Sequence, residues 1–258
     1  MRSILRVSLV CGLVLAMAGS CETTYPDTCV AATALTLGST TSGTMTVGDC
    51  KLAVDRGDLY TLTLADQTTV RFAVSASESV KLLKLRVRTA STHDTTLTVA
   101  ADAPNATSFT SYVVLPAGTF TVDVTASSAG NYSITPTAAA QPSPAGCFTS
   151  STAGHVSAAV GITLDGDISN NDCFSAGYYA DSYDVYMIGG QLRTITVTAS
   201  IGTSVELHDD AGVLLTSKSL NTAGANVITF TPFSTGRYHV AVIGTPSLAT
   251  GSYSLKIQ

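Results

Sequence analysis

The sequence predicts an all-β protein made of two tandem antiparallel β-sandwich domains behind an N-terminal signal peptide. The prediction depends on composition, on short segments of alternating hydrophobicity and on the return of one pattern. Charged residues make up only 12% of the 258 residues. Ser, Thr, Ala, Val and Gly are abundant, as in proteins whose β-branched residues cover pleated faces and whose small residues form turns. A chain of this length can hold two domains of ordinary size.

The first twenty residues are expected to direct export. Arg2 and Arg6 precede an apolar run from Val7 to Ala18, and small residues follow, which is the layout of a secretory signal peptide over 1–20. The letters "AGSC" that follow this run resemble a bacterial lipobox. That resemblance implies that Cys21 is the acylated first residue of a lipoprotein. Cleavage by an ordinary signal peptidase, with release to the medium, is the alternative.

A pattern in the middle of the chain returns near its end. "GTFTVDVTASSAGNYSI" starts at Gly118 and "GRYHVAVIGTPSLATGSYSL" starts at Gly236. Both contain Gly, one residue, an aromatic, Val at alternate positions, a loop and then Gly-x-Tyr-Ser. Other landmarks recur in the same order: Gly-to-Cys segments that end at Cys50 and Cys173, "DLYTL" from Asp58 against "DVYMI" from Asp184, and "VSAS" from Val74 against "VTAS" from Val197.

Repeats of this length indicate two domains rather than a solenoid of short units. The stretch between them is rich in Pro, Ala and Gly, which is typical of a linker. The predicted limits are a tether over 21–28, a first domain over 29–136, a linker over 137–146 and a second domain over 147–258.

Each half contains segments in which apolar and polar residues alternate, as in strands with one buried face. Turn-forming clusters such as "STHD", "DAPN", "HDDAG" and "PFSTG" separate them. About seven or eight such strands in each half indicate a β-sandwich. The predicted buried sets are Tyr60, Leu62 and Leu64; Leu83, Leu85 and Val87; Phe120, Val122 and Val124; Tyr238, Val240 and Val242; and Tyr253, Leu255 and Ile257.

The second half contains "DVYMI", "VELHDDAGVLLTS", "FSTGRYHVAV" and "GSYSLKI" in that order. In this arrangement it resembles the pre-peptidase C-terminal domain, and the first half resembles it less closely around "STHDTTLTVAADAP". The resemblance covers about 43–136 and 160–258. It implies jelly-roll-like sandwiches of the kind appended to secreted bacterial peptidases, with an accessory or adhesive role and no catalytic residues to carry over.

The cysteine count favours disulfide bonds. Of six Cys, one lies in the leader and acylation uses a second, which leaves an even number for an oxidising compartment. One crosslink within each half is the preferred connectivity, and each closed loop would stabilise by about 3 kcal/mol in the chain-entropy model. The other connectivities and four buried thiols are the alternatives. The predicted pairs are Cys29–Cys50 and Cys147–Cys173.

The segment "LDGDISNND" brings oxygen ligands close together. Asp165, Asp167, Asn170 and Asp172 are candidate ligands for Ca²⁺, which prefers carboxylate and amide oxygens. The spacing lacks the bidentate Glu of an EF-hand loop. Asp and Asn are also common turn formers, so an ordinary turn is the competing interpretation.

Tyrosines and basic residues supply two further surface predictions. Tyr178, Tyr179 and Tyr183 lie in a predicted loop, where they would stack on a ligand or anchor a protein contact. Packing at the sandwich rim is the alternative, and the chain has no Trp to form a sugar platform. The row of basic residues is predicted to be a solvated strand face; it consists of Lys81, Lys84, Arg86 and Arg88.

No catalytic residues are predicted, and the chain is not expected to be an enzyme. Nucleophilic catalysis needs a Ser, Cys or Thr beside a base, and no G-x-S-x-G elbow is present. His208 and Asp209 are predicted to be exposed beside a turn. Alternation along the strand predicts that His239 points to solvent. An envelope hydrolase is therefore the least supported function.

The expected function is a non-catalytic accessory or adhesion module, lipid-anchored at the cell envelope, whose partner is an envelope or extracellular polymer or protein. The alternative is a calcium-dependent carbohydrate- or matrix-protein-binding module released to the medium. The formal charge of −5 argues against a nucleic-acid partner. Membrane contact is expected only through the N-terminal lipid, and no cofactor is expected other than the Ca²⁺ of the alternative.

Overall fold

The computed structural model describes residues 33–46, 48–52, 55–77, 82–89, 96–141 and 156–258. These ranges contain twenty strands and no helix, so the all-β prediction is confirmed. None of the described residues forms a helix long and apolar enough to cross a membrane. The predicted signal peptide and tether, with Cys21, Cys29 and Cys147, lie outside the described residues.

The strands fall into two sets of ten. The first set is β1 (Thr33–Leu35), β2 (Thr41–Met45), β3 (Cys50–Leu52), β4 (Asp55–Leu64), β5 (Thr68–Ala76), β6 (Leu82–Thr89), β7 (Thr96–Ala106), β8 (Ser108–Leu115), β9 (Gly118–Ala126) and β10 (Gly130–Ala138). The second set is β11 (Val156–Ala158), β12 (Thr163–Ile168), β13 (Cys173–Ser175), β14 (Tyr178–Met187), β15 (Arg193–Ala199), β16 (Gly202–Asp209), β17 (Leu214–Leu220), β18 (Gly224–Phe230), β19 (Gly236–Thr245) and β20 (Gly251–Ile257).

The strand pairings of the second set repeat those of the first, strand for strand. β1 runs parallel to β4, as β11 does to β14. β4 pairs antiparallel with β9, as β14 does with β19. β10 lies between β2 and β5, as β20 lies between β12 and β15. Each strand of the first half therefore has a counterpart ten places later.

The registers correct one landmark of the sequence comparison. Tyr60 lies opposite Val122 and Tyr183 lies opposite Val240, so Tyr183 is the counterpart of Tyr60. "DLYTL" thus corresponds to "DSYDV" from Asp181, and not to "DVYMI" from Asp184 as the letters suggested. Two Asp-x-Tyr patterns lie three residues apart in the second half, and only strand register distinguishes them.

Each half encloses its own hydrophobic core between two sheets, as the alternating segments predicted. Tyr60, Leu62 and Leu64 are buried on one face of β4, and Phe120, Val122 and Val124 on one face of β9. Tyr238, Val240 and Val242 on β19 are buried in the same way, as are Tyr253, Leu255 and Ile257 on β20. Leu85 and Val87 are fully buried on β6, whereas the side chain of Leu83 is not described.

The two halves nevertheless share one sheet. β8 pairs in parallel with β11 through Val113–Ser157 and Val114–Ala158, which joins strands of both halves into a ten-stranded sheet. Val113 packs in the first core, while its neighbour Val114 packs in the second. Because adjacent residues of a strand point to opposite faces, the first core lies on one face of this sheet and the second core on the other.

One predicted turn differs from expectation. "DAPN" was predicted as a turn, but Asp102–Asn105 lie within the eleven-residue strand β7. β7 has several register irregularities against β6, and such bulges accommodate turn-forming residues inside a strand. β10 extends to Ala138, and 142–155 lie outside the described residues.

Candidate functional site

A tyrosine pair hydrogen-bonded to a carboxylate occurs in both halves, and the carboxylate is buried in the second half and half-buried in the first. In the second half the hydroxyls of Tyr183 and Tyr253 are 2.6 Å apart, and Tyr253 donates to Asp181 Oδ2 at 2.5 Å. In the first half Tyr60 and Tyr132 make the same contact, and Tyr132 donates to Asp58 Oδ2 at 2.7 Å. The four tyrosines and Asp181 are buried, so these hydrogen bonds lie in the interior of each half.

Burial changes the ionisation of both networks. Desolvation raises the pKa of Asp181 to about 8, against the hydrogen bond from Tyr253, and the nearby carboxylates of Asp172 and Asp167 raise it further. Desolvation likewise raises the pKa of Asp58, against the hydrogen bond from Tyr132. Neither Asp was predicted from the sequence to have a shifted pKa, although each stands two places before a core Tyr.

The predicted calcium ligands lie on one strand and the turn after it. Asp165 and Asp167 are exposed on β12, and Asn170 is exposed in the following turn. Both oxygens of Asp172 accept hydrogen bonds from Ser169, at 2.5 Å from its backbone N and 3.0 Å from its Oγ. Within the described ranges no group of three or more His, Cys, Asp or Glu is placed to hold a metal ion.

The turn at Asp172 also occurs in the first half. There Asp49 accepts hydrogen bonds from the backbone N and the Oγ of Thr46. In each copy the carboxylate closes a tight turn directly before the cysteine that begins β3 or β13. The competing interpretation of this acidic residue, turn formation, therefore describes Asp172 in the structure.

The three tyrosines that were predicted to form one exposed group differ in burial, because they lie on a strand. Tyr178, Tyr179 and Tyr183 belong to β14 and not to a loop. Tyr183 is fully buried in the second core, so its assignment to an exposed binding surface was wrong. Tyr178 is 37% exposed, while Tyr179 is partly buried against the core.

Phe174 adds an aromatic side chain that the sequence analysis did not select. It lies opposite Tyr179 in the β13–β14 hairpin, with ring centroids 5.1 Å apart, and it is 56% exposed. The hairpin formed by Phe174–Tyr179 is called the aromatic hairpin below. The dipeptide Ala176-Gly177 between the aromatic residues was the signal for this turn.

The aromatic hairpin is held in an unusual backbone conformation. Ala176 has φ +53° and Gly177 has φ +92°, and left-handed conformations of non-Gly residues are uncommon. Leu248, in the neighbouring β19–β20 loop, has φ +63° and is 58% exposed. Ser247 Oγ donates to the Gly177 carbonyl at 2.6 Å, which ties this loop to the hairpin. Such backbone outliers cluster at functional sites.

A buried polar row crosses the shared sheet. Ser157, Asp184, His239 and His208 lie opposite one another in successive strands β11, β14, β19 and β16, and each is at most 5% exposed. His239 Nδ1 lies 2.7 Å from Asp184 Oδ1, and His208 Nε2 lies 3.0 Å from Glu206 Oε2.

The predicted exposure of the two histidines was therefore wrong. The row lies on the face that carries the first core at β8, and β7 of the first half packs against β14 and β11 on that side. Alternation correctly predicted that His239 points to the face of β19 that Tyr238 and Val240 do not occupy. It gave the wrong environment because both faces of this sheet are covered.

The polar row does not form a catalytic triad. Asp184 lies between Ser157 and His239, so the strands that carry the hydroxyl and the imidazole are two strand spacings, about 10 Å, apart. A nucleophile must lie within hydrogen-bond reach of its base. His208 and Asp209 also point to opposite faces of β16, and Asp209 Oδ1 accepts from the backbone N of Ala211 and Val213 in the following turn.

The predicted basic face is instead part of a buried ion-pair cluster. Arg88 Nε lies 2.9 Å and Arg86 Nε 3.2 Å from Asp123 Oδ2. Asp123 is fully buried and the Arg88 side chain is 5% exposed, so the prediction of a solvated row was wrong for these two residues. A buried carboxylate on the adjacent strand β9 draws the guanidinium groups inward. The side chains of Lys81 and Lys84 are not described.

No family model and no curated protein matches the sequence. Solved structures with some similarity include the pre-peptidase C-terminal domain of collagenase from Bacillus anthracis, at 16% identity and TM-score 0.29, covering 40% of this chain and 92% of that one. The CUB1-EGF-CUB2 domains of rat MASP-1 match at 8% identity and TM-score 0.23, covering 87% and 100%. The CBM22-1–CBM22-2 tandem of Paenibacillus barcinonensis Xyn10C matches at 13% and 0.23, covering 86% and 98%. TM-scores this low identify no family.

Proposed function

We propose that this chain is a non-catalytic, exported binding module of two tandem β-sandwich domains, held at the cell envelope by a lipid on Cys21. Its partner is an envelope or extracellular polymer or protein. The repeated strand plan and the two cores support the tandem organisation. The leader supports export.

The aromatic hairpin is the observation that carries the binding role. Phe174 and Tyr178 are large aromatic residues exposed in neighbouring strands of the second half, and aromatic side chains provide much of the binding energy where proteins contact partners. The hydrogen bond from Ser247 and the strained turn fix the hairpin. A surface held in place before binding loses less conformational entropy when a ligand arrives.

Binding can be tested on immobilised envelope polysaccharides and extracellular matrix proteins. We expect the wild-type chain to bind at least one of them, and a Phe174→Ala/Tyr178→Ala variant to bind at least about tenfold more weakly, a loss of about 1.4 kcal/mol. Val213→Ala, which changes an exposed apolar residue in the β16–β17 turn, is the matched control. Binding that the double variant retains in full would assign the function to another surface, and no binding by wild type would refute the proposal.

Two further measurements separate the parts of the proposal. Repeating the assay with chelator tests the calcium-dependent alternative, which requires that binding be lost without Ca²⁺. Mass spectrometry of the mature N-terminus tests the anchor, because a lipoprotein begins with an acylated Cys21. An unmodified N-terminus would leave the binding role intact and change the location to the medium.

A further inference from the structure

The contact between the two halves is itself a strand-addition interface. β11 adds in parallel to the outer edge of β8, and the backbone N of Ala159 donates to the Val114 carbonyl at 3.3 Å. Val114 of the first half is buried in the second core, and Ala159 of the second half is buried in the first core. Each half thus supplies one side chain to the interior of the other.

The second half has the same edge without an occupant among the described residues. β18 is the counterpart of β8 and is the last strand of the four-stranded sheet. Val113 lies opposite Val70 on β5, and Phe230 lies opposite Arg193 on β15. Val70 and Arg193 are counterparts, so Phe230 is the counterpart of Val113. Thr231 is then the counterpart of Val114, the residue that pairs with Ala158 of β11.

The open part of this edge is short and apolar. Lys218 of the neighbouring strand β17 donates from Nζ to the Val227 carbonyl of β18 at 3.2 Å, so this carbonyl is already bonded and strand addition is opposed there. Beyond it, Phe233 is 91% exposed and Leu192 is 66% exposed. Gly190 N donates to the Pro232 carbonyl at 2.8 Å, which holds the two loops together beside Phe230.

The complementary strand is β1. It is the counterpart of β11: Thr33 lies opposite Tyr60, as Val156 lies opposite Tyr183. Among the described residues β1 pairs only with β4, whereas β11 pairs on both sides. Ala34 and Thr36 are exposed, although their counterparts in the second half are buried.

We propose that β1 of a second copy adds in parallel to Phe230–Thr231, so that copies of this chain join head to tail. The pairing of β1 with β18 between two molecules would repeat the pairing of β11 with β8 within one molecule. Its two surfaces differ, so the contact is heterologous and adds copies one after another, in an open chain or, where the rotation between copies closes, in a ring. The pairing is short, so the association is weak and depends on concentration.

Sedimentation velocity of the chain purified without its leader and with Cys21→Ser, so that no lipid is attached, tests this directly. We expect the mean sedimentation coefficient to rise as the concentration increases from about 10 µM to about 1 mM, a range that covers weak association. Phe233→Asp should block the β18 surface and Thr36→Glu should block the β1 surface, and each should abolish the rise. Both side chains are exposed, so neither change should alter the melting temperature by more than a few degrees. Val213→Asp is the matched control and should assemble as wild type does.

Mixing the two blocked variants distinguishes head-to-tail contact from a symmetric dimer. The Phe233→Asp chain keeps a free β1 and the Thr36→Glu chain keeps a free β18 edge, so an equimolar mixture should form dimers and nothing larger. A symmetric contact through Phe233 would leave the Thr36→Glu chain able to dimerise alone, which would overturn the proposal. A wild-type chain that stays monomeric throughout would overturn it as well. Neither result bears on ligand binding by the aromatic hairpin.

Discussion

Gly166 lies against the ring of Tyr253, so close that a Cβ atom on Gly166 would be 2.2 Å from Cζ of the ring. The two residues are opposite each other on β12 and β20. Gly43 and Tyr132 have the same relation in the first half, at 2.4 Å. Each ring crosses its glycine to bring the hydroxyl to the buried tyrosine and aspartate. The glycine is therefore required by contact with a side chain and not by backbone conformation.

Gly166→Ala should destabilise the protein by about 1–3 kcal/mol, because the added methyl group displaces a fully packed ring. Denaturant unfolding measures the change. Gly236→Ala is the control, since no atom lies within 4 Å of a Cβ built there and no positive φ is involved. Equal stability of the two variants would show that the ring moves freely away from β12.

Asp181→Asn should remove a dependence of stability on pH. The folded-state pKa of Asp181 is about 8, above its ordinary value of about 3.9. The folded protein therefore holds a proton that the unfolded chain releases. Protonation of Asp181 therefore contributes fully to the free energy of unfolding below about pH 4. This contribution is lost as the pH rises towards 8, by up to about 1.4 kcal/mol per pH unit.

Unfolding free energies at several values between pH 4 and pH 8 would measure this slope. Asp58→Asn should change it less, because Asp58 is only half-buried. A slope that persists in the Asp181→Asn variant would place the titrating proton elsewhere.

Asp123→Ala should cost about 3–5 kcal/mol of stability, because it leaves the buried Arg88 guanidinium without this carboxylate. Asp210→Ala removes a carboxylate that lies 2.6 Å from Arg237 Nε but is 59% exposed, so it should cost less than about 1 kcal/mol. Chemical denaturation compares the two. Comparable losses would mean that water reaches the Arg88–Asp123 pair.

Peptide mapping without reductant should recover Cys29 linked to Cys50 and Cys147 linked to Cys173. Replacement of Cys173 by Ser should then lower stability by about 2–4 kcal/mol, through the greater conformational freedom of the unfolded chain. The same substitution under reducing conditions is the control and should have little effect. A crosslink between the halves would contradict this connectivity.

Period-two alternation predicted the core faces of β4, β9, β19 and β20, because burial of one face is a local property of a strand. It did not predict the environment of the other face. His239 and Arg88 are buried because a strand or a carboxylate distant in sequence lies over them, and a period within one segment holds no information about such contacts. Tyr183 was wrongly predicted to lie in a loop for a related reason. A cluster of tyrosines in a turn-rich segment is typical of a loop, and only the pairing with β19 shows that this segment is a strand.

The internal repeat could be recognised from the sequence, but the correspondence of individual residues between the two halves could not. Asp181 and Asp184 each precede a tyrosine by two places, and the strand register identifies Asp181 as the counterpart of Asp58, in agreement with its hydrogen bond from Tyr253. The aromatic hairpin was found in part: its tyrosines were selected from the sequence, while Phe174 was noticed only once β13 lay beside β14.

The exchange of Val114 and Ala159 between the cores has a thermodynamic consequence. Loss of either half would expose to solvent an apolar side chain of the half that remains. The free energies of unfolding of the two halves are therefore coupled. The intact protein should then melt in a single cooperative transition, at a higher temperature than either half cut from the other. Two separate melting transitions would show that the halves unfold independently.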